Sequence, residues 1–135
     1  MKKFRLAGAM VGAVALVGLA NSPALAGTDI TAYGPSLKSG CSHASAGHFA
    51  SYGETFTVYD ECADGWSAVV EVDVAPYQSG GGYDFVIWNH NGADGSPVTV
   101  DKSYAEGTGV CLRAGSGEYS SKEAGTWSSW SCGAA

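Results

Sequence analysis

Residues 56–74 constrain the fold of this chain more than any other stretch, because their side chains alternate with a period of two. This alternation is the pattern of half-buried β-strands, and Ala63-Asp64-Gly65 interrupts it with a strong turn signal. The residues on the predicted inner side are Phe56, Val58, Trp66, Ala68, Val70, Val72 and Val74. The stretch therefore predicts a β-hairpin that begins the core, with Glu71 on its polar side.

Turn signals divide the rest of the chain into short segments. Residues 83–89 (YDFVIWN) are dense in aromatic and β-branched residues and predict a central strand that is buried on both faces. Further strands are predicted over residues 97–103, 108–114 and 126–132. Residues 27–51 predict a loosely structured N-terminal segment with at most a short strand over residues 46–51. No segment shows sustained helical periodicity. The pattern predicts an all-β fold, a small antiparallel β-sandwich of about six to eight strands or a small barrel.

The first 26 residues have the pattern of a secretory signal peptide. Three cations precede an apolar run over residues 6–20, and Ala24-Leu25-Ala26 supplies the small-x-small cleavage site. The apolar run is shorter than the roughly 20 residues that a membrane span needs. We therefore expect cleavage after Ala26, secretion without a membrane anchor, and a single domain over residues 27–135.

The charge of the exported part limits its partners. It retains only Lys38, Lys102, Arg113 and Lys122 against all thirteen carboxylates, a formal net charge of −9. Phosphate backbones are bound by clustered lysine and arginine side chains. The composition therefore argues against a nucleic-acid partner and against binding to anionic membranes.

The four cysteines all lie in the exported part, and an even count in a short secreted chain implies two disulfides. Twenty residues separate Cys41 from Cys62, and twenty separate Cys111 from Cys132. A hairpin with its bend near Ser121 would bring the second pair together. The spacing thus favours sequential pairing over the two other connectivities. Zinc sites use closely spaced cysteine pairs, which this chain lacks, so we expect no metal.

Three segments carry a resemblance to known proteins. The segments GETFTVYDECADGWSAVVEV, YAEGTGVCLRAG and WSSWSC, together with the signal peptide and the length, resemble small secreted β-rich proteins of actinomycetes. The resemblance covers most of the exported chain and implies an exported all-β domain. It implies no catalytic residues.

Catalysis would need a titrating group beside a carboxylate in a cleft. His90, Glu54 and Arg113 are the residues from which a small extracellular hydrolase could be built, but no HExxH or GxSxG motif is present. Asn89, Asn91 and Asp94, with Asp84 or Asp101 nearby, offer oxygen ligands for calcium without the spacing of an EF-hand. We expect neither catalysis nor a cofactor, and keep the hydrolase as an alternative.

Aromatic side chains give the strongest functional indication. Four tryptophans and seven tyrosines are many for this length, and exposed aromatic rings bind sugars or protein partners. If Phe85 and Ile87 face the core, Trp88 faces the other side together with Asp84. Trp127 and Trp130 differ in parity, so a regular strand would expose one of them.

These residues predict a non-catalytic binding or interaction module for an extracellular protein or carbohydrate. The predicted ligand-binding residues are Trp88, Asp84, His90 and Trp127. A secreted protease inhibitor is a further alternative. It would need a rigid protruding loop, for which residues 115–125 are the candidate.

Overall fold

The computed structural model describes residues 26–135, which form nine β-strands and one short 3₁₀ turn, Ser79–Gly81. The strands are β1 Ile30–Pro35, β2 His43–Ala50, β3 Thr55–Asp60, β4 Ser67–Val74, β5 Phe85–Asn89, β6 Val98–Asp101, β7 Gly109–Glu118, β8 Glu123–Gly125 and β9 Ser131–Ala134. The signal peptide predicted over residues 1–26 lies, except for Ala26, outside the described residues.

The strands form two antiparallel sheets that pack face to face. The first sheet has the order β1-β2-β3-β6, and the second has the order β5-β4-β7-β8, with β9 also pairing with β7. The predicted all-β, disulfide-stapled sandwich is confirmed. The described residues contain nine strands rather than six to eight, because β1 and β2 form in the segment predicted to be loose and β8 forms in the predicted loop over residues 115–125.

The core lies between the sheets and consists of the inward members of each strand. Its buried residues are Ile30, Ala32, Phe49, Phe56, Val58, Ala68, Val70, Val72, Ile87, Val110, Leu112, Ala114 and Ala135. The rings of Phe49 and Phe56 lie 4.7 Å apart between centroids, and truncating either to alanine would cost about 3–5 kcal/mol. A Cβ at Gly47 would lie 2.6 Å from Val70, so glycine at this position allows the sheets to approach closely.

Two buried polar side chains also join the sheets. Ser45 on β2 donates its hydroxyl to the carbonyl of Gly115 on β7, at 2.8 Å. Asn89 on β5 donates its amide to the carbonyl of Val58 on β3, at 2.9 Å. Both side chains are almost completely buried, and a hydrogen bond removes the cost of burying a polar group.

The hairpin predicted over residues 56–74 is wrong, although the alternation within each strand is correct; Trp66, predicted to face inward, precedes β4 and is 54% exposed. β3 pairs with β2 and β6, whereas β4 pairs with β5 and β7, so the two strands belong to opposite sheets. Their inward side chains face each other across the core instead of lying side by side. The connection leaves the first sheet at Cys62, which is held by its disulfide to Cys41 at the open end of the β2–β3 hairpin.

The prediction of a loose segment over residues 27–51 is also wrong. Residues 30–35 and 43–50 form β1 and β2, and β2 is a central strand of the first sheet. Composition misled here because Ala, Gly and Ser are common in loops. In this sheet the small side chains of Ala32 and Ser45, and the absence of a side chain at Gly47, allow the two layers to pack closely.

The strand predicted to be central, residues 83–89, is an edge strand. β5 begins at Phe85 and pairs only with β4 within the described residues. The predicted parity is correct: Ile87 is buried in the core, and Val86 and Trp88 point to the outer side. The aromatic density of this segment reflects the outer face of the sheet, described below, rather than burial on both faces.

The predicted sequential disulfides are confirmed. Cys41 and Cys62 join the two ends of the β2–β3 hairpin, and Cys111 and Cys132 are directly opposed on β7 and β9. By the loop-entropy estimate each bridge stabilises the fold by about 3 kcal/mol. The strand predicted over residues 126–132 begins later, at Ser131, because residues 126–130 leave the sheet.

Candidate functional site: a groove walled by tryptophan

The outer face of the second sheet is partly covered by its own last hairpin. Gly115 and Gly117 lie on the outer side of β7, and β8 pairs with this end of β7 as the next strand of the sheet. A Cβ on Gly115 would lie 2.7 Å from the Trp127 ring and 2.8 Å from the Gly125 carbonyl. The missing side chains therefore allow β8 and the Trp127 ring to lie close against the outer side of β7.

Residues 126–130 continue along β7 without forming a regular strand. Ser128 donates its amide to the carbonyl of Ala114 at 2.8 Å, and its hydroxyl accepts from the Ala114 amide at 3.0 Å. This excursion places both Trp127 and Trp130 against the Arg113 guanidinium, with each ring centroid 4.8 Å from it. Neither ring is fully exposed, so the parity argument for these two tryptophans fails because the segment is irregular.

Arg113 forms an ion pair with Glu71 on the neighbouring strand. Nε and one terminal nitrogen of the guanidinium both lie 2.6 Å from Oε2 of Glu71. Glu71, predicted to be a surface residue, is buried because β8 and the tryptophan segment cover its face of β4. Among the hydrogen bonds of residues 26–135, none involves Oε1, and the side chain lines a groove. The pair thus presents one acceptor oxygen to that groove.

We call this cavity the tryptophan groove, and its volume is about 430 Å³. One wall comes from β5, the floor from β4, and the other wall from β8 and the residues flanking it. Its lining consists of Tyr83, Val86 and Trp88, then Val69 and Glu71, then Lys122, Ala124 and Trp127. A cleft of this volume, mostly apolar with a few polar groups, is typical of small-ligand sites.

A stack of side chains stands beside Trp88. The edge of Tyr119 meets Trp88 with 5.8 Å between ring centroids, and His90 stacks on Tyr119 at 3.9 Å. The ammonium of Lys122 lies 2.8 Å from the Tyr119 centroid and 5.5 Å from that of Trp88. These contacts hold the tip of the β7–β8 hairpin against the end of β5.

The structure brings together some of the sequence-predicted site residues and separates others. Trp88 and Trp127 both line the groove, and His90 reaches it only indirectly through Tyr119. Asp84 does not line it: its carboxylate accepts from the Val74 amide and the Gln78 side chain. The Val74 bond, and then the Gln78 bond, lower the pKa of Asp84. Asp84 therefore anchors the β4–β5 connection.

The residues of the hydrolase alternative have separate partners. Glu54 accepts from the Tyr104 amide, Arg113 pairs with Glu71, and His90 stacks on Tyr119. None of the three histidines lines the tryptophan groove. Among the described residues the one histidine–carboxylate contact is His43 with Glu61, at 3.4 Å, and both side chains are substantially exposed.

The proposed calcium loop and inhibitor loop have other roles in the fold. The side-chain amide of Asn89 donates hydrogen bonds to the carbonyl oxygens of Val58 and Ser96. Its Oδ1 accepts a hydrogen bond from the backbone amide of Asn91 at 2.9 Å. In residues 26–135 no group of three or more His, Cys, Asp and Glu side chains is placed to hold a metal ion. Residues 115–125 form the β7–β8 hairpin folded over the sheet, rather than a protruding loop.

Sequence reasoning missed the floor of the groove. The alternation predicts that Glu71 faces solvent, and the sequence suggests a role for Arg113 only in the hydrolase alternative. Two signals were available: Val69 is apolar on the polar side of β4, and Arg113 is a lone cation on the outer side of a strand with apolar inner residues. Both indicate that something covers this side of the sheet.

No protein-family model, curated protein or solved structure matches the chain. Within residues 26–135 no helix is long and apolar enough to cross a membrane.

Proposed function

We propose that this protein is a secreted, non-catalytic binding protein whose tryptophan groove takes a neutral carbohydrate. The observation that carries the proposal is the groove itself, with Trp88 and Trp127 in its walls and a carboxylate oxygen of Glu71 in its floor. A sugar ring has apolar C–H faces and hydroxyl edges. The C–H faces pack on indole rings, and the hydroxyl groups donate hydrogen bonds to a fixed acceptor oxygen.

The charge of the groove favours a neutral ligand. Aromatic walls with a carboxylate also suit cations, but here Arg113 already neutralises Glu71, and Lys122 adds a second positive charge at the rim. An anionic ligand would meet the net negative charge of the chain. A polyhydroxyl ligand without charge avoids both costs.

The groove also lacks a feature that catalysis on sugars requires. Glycosidases use two carboxylic groups on either side of the scissile bond. Among the described residues Glu71 is the one carboxylate lining this groove, and it is held by Arg113. A binding role therefore fits better than hydrolysis.

Two features support an extracellular location. The N-terminal 26 residues match a signal peptide, and the two disulfides persist in oxidising compartments. A mass of the exported protein that corresponds to residues 27–135 with two disulfides would agree with this location. A mass that includes the first 26 residues would contradict it.

Affinity electrophoresis of the exported protein against soluble neutral polysaccharides (glucans, xylans, mannans and chitooligosaccharides) tests the ligand class. We expect retardation by at least one of them, and a loss of affinity of about 30-fold in Trp88→Ala, the effect of a binding hot spot. Tyr52→Ala is the matched control, because Tyr52 is a fully exposed aromatic residue in the β2–β3 turn, outside the groove. Retardation that is unchanged in Trp88→Ala, or the absence of retardation by every glycan, would refute the proposal.

A further inference from the structure

A second cavity lies at the end of the sandwich, on the other side of β8. Its volume is about 500 Å³, and Ala124 of β8 lines both this cavity and the tryptophan groove. Leu37 comes from the β1–β2 loop and Trp66 from the β3–β4 loop, and the end of the β7–β8 hairpin completes the lining. We call it the Leu37–Trp66 recess.

The apolar residues of this recess are unusually open to solvent. Leu37 is 88% exposed and Trp66 is 54% exposed. Adjacent large apolar side chains that remain in water mark interaction surfaces more often than core defects. The Cys41–Cys62 disulfide joins the two loops that carry them, and the Lys38 ammonium donates to the carbonyl of Ala63. The recess is therefore held in shape before any partner arrives.

The rim of the recess is acidic in a way that stability does not explain. Asp64, Glu118 and Glu123 line it, with Lys38 as the one cation among its lining residues. Glu118 and Glu123 are directly opposed on β7 and β8, and like charges in this position destabilise a sheet. Hydrogen bonds from the Ser120 side chain and amide lower the pKa of Glu118, so its charge persists. An incoming cationic partner would turn this repulsion into attraction.

We propose that the Leu37–Trp66 recess docks a basic segment of a partner protein. An apolar side chain of that segment inserts between Leu37 and Trp66, and flanking lysine or arginine side chains pair with Asp64, Glu118 and Glu123. Burial of an anchor residue surrounded by complementary charge is the usual arrangement of a binding hot spot. This site is separate from the tryptophan groove and does not depend on the function proposed for it.

Other occupants fit the recess less well. A second copy of this chain would bring thirteen carboxylates and only four cations in its exported part, which repels an acidic rim. A neutral lipid or apolar small molecule would leave three carboxylates without counter-charges. A metal ion would need a cluster of ligands that the described residues do not place together.

Panning the exported protein against a random 12-residue peptide display library tests the proposal. We expect enriched peptides to carry a leucine or aromatic residue flanked by lysine or arginine. As synthetic peptides, measured by fluorescence anisotropy, they should bind at least 10-fold more weakly to Trp66→Ser, with recovery in Trp66→Phe. The paired change Glu118→Gln with Glu123→Gln should weaken binding at low salt and remove most of its salt dependence.

Two control variants distinguish binding at the Leu37–Trp66 recess from binding in the tryptophan groove and from non-specific binding. Val86→Ser, in the β5 wall of the tryptophan groove, and Tyr52→Ser, outside both cavities, should leave peptide affinity unchanged. The proposal is overturned if no peptide is enriched, if the enriched peptides lack basic residues, or if their affinity is the same in Trp66→Ser. Sedimentation velocity provides the remaining check, since dimers that dissociate in Trp66→Ser would assign the recess to self-association instead.

Discussion

The outer faces of the two sheets follow the same alternation of side chains, but the outward tyrosines of β1 and β3 are exposed whereas the outward residues of β4 are buried. On the first sheet, the outward side chains Tyr33 of β1 and Tyr59 of β3 are 50% and 42% exposed. On the second sheet, the outward side chains Val69, Glu71 and Asp73 of β4 are all buried. A period of two therefore states which side of a strand a residue faces, but not whether another part of the chain covers that side.

The cover on the second face depends on a few residues. Gly115 and Gly117 leave room above β7, and the chain returns over that space through β8 and residues 126–130. On the first face the small side chain of Ala46 lies between Tyr33 and Tyr59, and the strand neighbours are ordinary side chains. One face thus acquires a groove with an ion pair in its floor, and the other remains an open sheet surface.

The largest effect is expected from a substitution that breaks the ion pair between Arg113 and Glu71 on the covered face. Arg113→Met keeps an apolar side-chain stem beside Trp127 and Trp130 and leaves the buried Glu71 carboxylate without a partner. We expect a loss of about 2–3 kcal/mol in the free energy of unfolding, measured by urea denaturation at neutral pH. Combining it with Glu71→Met should recover most of this loss, because the isolated charge is then removed.

The open face provides the matched control for this pair. Thr57→Ala changes an outward residue of the central strand β3, and its cost should stay within about 1 kcal/mol, the span of strand propensity. If Arg113→Met and Thr57→Ala cost the same, the two faces are equally solvated and the comparison fails.

The same contrast marks how far the sequence could predict this structure. Alternation identified the inner residues Phe56, Val58 and Val70, and the equal spacing of the cysteines identified both disulfides. Local patterns could not assign β3 and β4 to different sheets, because a crossover and a hairpin place the same side chains inward. The cover over Glu71 was equally out of reach, since it depends on contacts between residues far apart in sequence.

The candidate site likewise has features that the sequence could predict and features that it could not. The outward orientation of Trp88 could be predicted from the parity of a single strand. Its position opposite Trp127 in the groove depends on the fold of the last hairpin. Asp84 shares the parity of Trp88, yet its hydrogen bonds to Val74 and Gln78 hold it at the β4–β5 connection. Parity predicts the face of a residue, whereas the position along that face requires the tertiary structure.

A smaller effect is expected from filling the space that allows the cover to form. In Gly115→Ala the new Cβ would meet the Trp127 ring and the Gly125 carbonyl, so the hairpin must shift. Overpacking of this kind typically costs about 1–3 kcal/mol. We expect a lower melting temperature and a red shift of tryptophan fluorescence as Trp127 becomes more exposed.

Gly125→Ala is the control for this change. Gly125 lies on β8, and a Cβ there would have no neighbour within 4 Å. Its melting temperature and fluorescence should match those of the unmodified protein. A fluorescence shift of equal size in both variants would mean that the cover does not rest on Gly115.

The smallest expected effect compares a carboxylate facing inward with one facing outward. Burial, and to a lesser extent the nearby Asp64, raises the pKa of Asp60 on the inner side of β3, although the Cys62 amide bond opposes this. Its contribution to stability is thus fully present below the ordinary pKa of 3.8 and is lost as pH rises through the higher folded value.

The pKa of Asp84, on the outer side, is lowered by its hydrogen bonds to Val74 and Gln78, so its contribution to stability is present above 3.8 and is lost on acidification. Urea unfolding from about pH 3 to pH 7 should therefore show Asp60→Asn gaining stability over the unmodified protein as pH rises, because an amide still accepts from Cys62 and has no charge to bury. Over the same pH range Asp84→Asn should lose stability relative to the unmodified protein, because the variant lacks the carboxylate that is stabilised as pH rises. Differences that run in the same direction for both variants would show that the inner and outer carboxylates experience the same environment.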